Sequence, residues 1–100
     1  MSAQRNAYNT YHAKVDAINT GIHIEYLQGE HARAIIVDAM RNDKFMGKCF
    51  SNSEVFVLAD GRVVEYALSH GWIPKAAIFA SQADFVRYMK PMGFNEYHEF

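Results

Sequence analysis

Glu54-Val55-Phe56-Val57-Leu58-Ala59-Asp60-Gly61-Arg62-Val63-Val64-Glu65-Tyr66-Ala67-Leu68 decides the fold. Two runs rich in Val, Phe and Tyr flank Asp60-Gly61, a dipeptide that tolerates the positive φ angles of a tight reversal, so residues 54–68 read as a β-hairpin. A two-residue turn sets Leu58 against Val63, Val57 against Val64, Phe56 against Glu65 and Val55 against Tyr66. One face then carries Val55, Val57, Val64, Tyr66 and Leu68. The other holds Phe56, Leu58 and Val63 near the turn, with Glu54 and Glu65 further away. Both faces are apolar near the turn, so each needs a cover of helices or of a second subunit.

Upstream of the hairpin, Phe45 to Phe50 is apolar enough for a strand and passes through the turn-rich Ser51-Asn52-Ser53 into the hairpin. Before it, Ala32, Ile35, Ile36, Ala39 and Met40 recur at helical spacing. Gly29 stands at the N-cap, and the helix is expected to end around Asn42-Asp43. Ile22 to Leu27 alternates as a short strand. Tyr8, Tyr11, Val15 and Ile18 predict an amphipathic helix over residues 2–19, stopped by Thr20-Gly21.

Downstream, residues 69–74 read as a loop containing Trp72, and Ala76 to Ala80 fits either a strand or a helical turn. Ser81 with Asp84 three residues on marks a helix start, with Phe85, Val86, Met89 and Tyr88 as its inner stripe. Pro91 is expected to stop this helix, because the residue before proline avoids the helical region. Phe94 to Phe100 closes the chain as a strand. The whole is an α+β domain over residues 1–100, with about three helices packed on a mostly antiparallel sheet.

Composition narrows function by exclusion. The 100 residues suit one core, and 50% apolar with 21% charged residues is globular rather than disordered. A formal net charge of −1 argues against a phosphate backbone as the main partner, although Arg41, Lys44, Lys48, Arg87 and Lys90 are candidate phosphate contacts if the fold gathers them. No apolar run approaches the roughly 18 residues of a membrane span, and no leader segment is visible, so a cytoplasmic protein without membrane contact is expected.

No motif specifies a reaction. Cys49 and His70 are a nucleophile and a base by residue type, yet Cys49 sits in an apolar run where free cysteine acts as a small hydrophobe. The five histidines form no zinc-ligand spacing. Glu96 and His98 share one face of the last strand but need a third ligand from elsewhere. The six glycines are scattered singly, so no phosphate-cradling loop and no nucleotide cofactor is indicated. No catalytic, cofactor or metal residue is therefore assigned.

The hairpin Val55 to Leu68 and the ending Phe85-Val86-Arg87-Tyr88-Met89-Lys90-Pro91-Met92-Gly93-Phe94 resemble the central hairpin and the helix-to-Gly-Phe corner of the GNAT acetyltransferases. The likeness covers under half the chain and lacks that family's acyl-CoA loop, which reads Gln or Arg, two residues, Gly, one residue, then Gly or Ala. It implies a reduced acyltransferase-like domain and carries no site residue across.

What remains is aromatic excess. Trp72, Tyr97, Phe100, Phe56 and Leu58 are the candidate partner-binding residues, since aromatic anchors dominate protein interfaces. The leading expectation is a small non-catalytic module that binds another protein, an inhibitor or adaptor of the kind phages and mobile elements use, with homodimerisation as a further option. A nucleic-acid-binding accessory role is the other alternative.

Overall fold

The computed structural model describes residues 21–49, 53–67, 73–92 and 97–100. In chain order the elements are β1 (Ile24–Gln28), α1 (Glu30–Asn42), β2 (Lys44–Cys49), β3 (Ser53–Val57), β4 (Val63–Ala67), β5 (Lys75–Phe79), α2 (Gln82–Met89) and a 3-10 turn (Lys90–Met92). The five strands form one sheet in the order β1-β5-β4-β3-β2, with every neighbouring pair antiparallel. Strands β2 to β5 form a meander. β1 adds to its far side, so α1 links the two opposite edges of the sheet. The α+β class fits, with two α-helices among the described residues; the helix expected over residues 2–19 lies outside them.

The hairpin closes differently from the two-residue expectation. The Gly61 N–H donates to the Leu58 carbonyl (2.9 Å) and the Leu58 N–H to the Arg62 carbonyl (2.8 Å), so three residues, Ala59-Asp60-Gly61, make the loop. Gly61 carries φ 92°, the left-handed residue such a loop needs. The Asp60 carboxylate accepts from the Arg62 backbone N–H (3.1 Å) and from Arg62 Nε (2.8 Å), which holds the longer turn and keeps the Asp60 carboxyl below its usual range. One extra loop residue shifts the register by one: Val57 faces Val63, Phe56 faces Val64, Val55 faces Glu65 and Glu54 faces Tyr66.

That shift exchanges the faces of everything on β4. Val55, Val57 and Val63 turn toward α2 and pack with Phe79, Phe85 and Met89. Leu58, Val64 and Tyr66 turn toward α1 and pack with Ala32, Ile36 and Ala39. The sheet is thus buried on both sides, and Val63 and Val64 are both fully inaccessible.

α1 starts at Gly29, whose φ of 68° only glycine adopts readily, and whose N–H donates to the Pro74 carbonyl (2.9 Å). It ends at Asp43, left-handed at φ 56°, with its N–H shared between the Ala39 and Met40 carbonyls. Met40, expected in the inner stripe, is 44% exposed. The Ser81 hydroxyl caps α2 by accepting from the Asp84 N–H (3.2 Å), and Phe85, Tyr88 and Met89 are buried. The α-helix ends at Met89, before Pro91 as expected, but not because the residue before proline leaves the helical region. Lys90 keeps helical angles (φ −58°, ψ −47°) and the backbone passes through Pro91 in the 3-10 turn. Residues 75–79 resolve the open choice as a strand; of the expected last strand, residues 97–100 are described, and they make an isolated bridge from Tyr97 to Gly47 rather than a strand.

Candidate partner-binding surface

An aromatic row crosses the α1 side of the sheet from its β2 edge inward. Phe45 faces Phe56 in the ladder, and their rings meet edge-on at 5.3 Å. Phe56 stacks on Tyr66 at 5.9 Å with the rings 13° apart, and the Tyr66 hydroxyl donates to Glu54 Oε1 (3.0 Å). Burial rises along the row: Phe45 is 42% exposed, Phe56 half-buried and Tyr66 buried. Burial, and then the hydrogen bond to Glu54, pushes the Tyr66 hydroxyl above its ordinary value, so this polar end stays a neutral donor. Cross-strand aromatic pairing of this kind explains why the row forms, and its outer ring stays open to solvent.

α1 adds two more exposed apolar side chains, Val37 and Met40. Helical geometry places Asn42 about 200° around the axis from Met40. Asn42 anchors its own flank by donating its amide to the Val57 carbonyl (2.6 Å), which leaves Met40 and Val37 on the opposite, unanchored flank. The sequence pointed to this indirectly. Ala32, Ile35, Ile36, Val37, Ala39 and Met40 are more apolar positions than one inward stripe takes up.

The candidates named from sequence are not brought together. Leu58 is buried against α1 and serves as scaffold, while Phe56 lies in the row just described. Tyr97 and Phe100 lie along the outer edge of β2. Tyr97 packs edge-on against Phe85 at 6.0 Å, and Phe100 is 54% exposed. Trp72 lies outside the described residues. Phe45, Met40 and Val37 were missed as candidates.

The remaining chemistry is dispersed. Cys49 pairs with Ser53 at the end of β2, and His70 lies outside the described residues. Among the described residues no three His, Cys, Asp or Glu side chains gather as a metal cluster; Glu96 lies outside them, and His98 meets the Phe100 ring at 4.8 Å. Arg41 on α1 and Arg87 and Lys90 near α2 fall on opposite sides of the sheet, with Lys44 and Lys48 on the edge between, so these five do not form one patch. Arg87 is also engaged by Asp84 at 3.8 Å. Among the described residues no helix is long and apolar enough to cross a membrane.

Glu65 is the least expected group. It sits in β4, the central strand, between Val55 and Ala77 on the α2 side. Burial pushes its carboxyl up to about 7, against a smaller lowering by a hydrogen bond from Ser53.

These features define a small α+β domain with an apolar, aromatic surface at one sheet edge. No family model, curated protein or solved structure matches the chain.

Proposed function

We propose that this protein is a small non-catalytic binding module that acts on another protein, as an inhibitor or adaptor of a larger protein or complex, of the kind phages and mobile elements direct at host machinery. The observation that supports the reading is Phe45, 42% exposed at the outer end of an aromatic row whose inner end is buried. A large apolar ring that rests edge-on against Phe56 and is presented to solvent has the chemistry of an interface anchor. Met40 and Val37 are further exposed apolar side chains on the same side of the sheet. The test is affinity capture from the native host, identification of the protein retained, and reconstitution with that protein purified. Phe45→Asp is expected to weaken the reconstituted complex by about 2 kcal/mol or more, measured by calorimetry. Binding unchanged by that substitution removes this surface from the interface.

A further inference from the structure

We propose that the outer edge of β2 is a groove for an extended segment of a partner protein carrying two aromatic side chains three residues apart with an acid between them, and that Tyr97–Phe100 is its built-in occupant. The proposal deepens the protein-binding reading and rests on it.

Among the described strands β2 lies at an edge of the sheet, the position from which backbone groups can accept a further extended segment. Tyr97–Phe100 sits there as that strand does. Tyr97 bridges Gly47 in the antiparallel sense, and the His98 N–H donates to the Met46 carbonyl (2.6 Å). The ladder goes no further than His98 among the described residues, and the Lys44 ammonium lies over the Phe100 ring at 5.9 Å. Gln82 completes the clasp: its Oε1 accepts from the Phe100 N–H (2.8 Å) and its Nε2 donates to the Phe100 carbonyl (3.2 Å). A side-chain amide that bonds both backbone groups of one residue holds any extended chain, whatever its sequence.

Selectivity comes from the side chains. The Phe85 ring receives the first aromatic, the Lys44 ammonium the second, and the exposed Lys44 and Lys48 favour an acid in the segment. The bonds from Gln82 to Phe100 are exposed to water, so that end of the occupant opens first, and release of the half-buried Tyr97 from Phe85 is the main cost of full opening. Tethering gives it an effective concentration of about 1 mM, which a free segment must overcome unless the occupant is weakened.

The test uses the full chain with His98→Pro, which deletes the donor to Met46, and separately with Tyr97→Ala, so that one folded variant suffices. The probe is a fluorescein-labelled peptide with Tyr-His-Glu-Phe between Gly-Ser flanks. Saturable anisotropy on either variant, about tenfold tighter than on the unsubstituted protein, is expected, with about tenfold loss when the probe tyrosine becomes alanine or when Gln82→Ala is added. A folded variant with no saturable binding, or one that binds a scrambled peptide equally, overturns the groove. Loss of the groove with Phe45-dependent partner binding retained leaves the protein-binding reading standing. Loss of both sinks that reading as well.

Discussion

Glu65 shows how much hangs on one residue of a turn. Read with a two-residue loop it shares a face with Phe56; the three-residue loop closed by Gly61 moves it to the α2 side, between Val55 and Ala77. Its carboxyl is pushed up to about 7 by burial, from an ordinary value of 4.5. Between those values the folded protein holds a proton that the unfolded chain has released. Stability contributed by this group is therefore complete below about pH 4.5, falls as pH rises toward 7 and levels off above it. The loss amounts to about 3 kcal/mol at most. Chemical denaturation at pH 5 and pH 8 is expected to show this fall, and Glu65→Gln to abolish it while stabilising the protein at pH 8; an equal pH dependence in the variant refutes the assignment. Gly61 carries the companion prediction. Nothing lies within 4 Å of a Cβ placed there, so Gly61→Ala meets only the backbone cost of φ 92°. A decrease of about 1–2 kcal/mol is expected from urea titration. None of this was legible in the composition of the hairpin, because Asp-Gly serves loops of two and of three residues. What separates them is the Asp60 carboxylate closing on Arg62, an interaction that pattern alone does not weigh.

At the scale of elements, the sequence was most legible where local chemistry and tertiary burial agree. α1 (Glu30–Asn42) lies between its Gly29 and Asp43 caps, close to where its apolar spacing places it, and α2 begins after the Ser81 cap. Ser81→Ala removes the acceptor for the Asp84 N–H and is expected to cost about 1 kcal/mol, read as a lower denaturation midpoint with an unchanged slope. A change below a few tenths of a kcal/mol places the start of α2 under the control of packing instead. The elements that escaped pattern reading are those fixed by distant partners. Lys75–Phe79 is a strand because β1 and β4 bond it on both sides, and its Ala-Ala-Ile-Phe run has no alternation because both faces are covered. α2 ends before Pro91 as expected, but the expected reason does not hold: the 3-10 turn that begins at Lys90 shows that the chain tolerates helical angles before proline there, beside the buried Tyr88 and Met89. The candidate surface is half legible. Phe56 was picked out for its ring, but Phe45 was assigned to a strand without regard to which strand lies at the edge, and edge position is a property of sheet order alone.

The molecule as a whole has two cores divided by one sheet, and this predicts how it opens. β4 lies at the centre of the strand order, and its Val63 and Val64 are fully inaccessible from opposite faces. Removing either core exposes one face of β4, so the two cores report to the same strand and are coupled through it. The edges are different. β1 has a strand neighbour on one side only among the described residues, and the outer side of β2 is met by Tyr97–Phe100 through the single bridge to Gly47 and the His98 N–H bond. Native-state hydrogen exchange should therefore resolve a hierarchy. The His98 amide is expected to exchange first, by local opening that exposes the half-buried Tyr97 but leaves both cores closed, and so depends on denaturant less than global unfolding does. Amides of β3, β4 and β5 that bond across the ladder are expected to exchange last, with the free energy and denaturant dependence of global unfolding. Protection of His98 equal to that of β4 would show the edge segment to be an integral strand, and would remove the local opening on which its displacement by a partner depends.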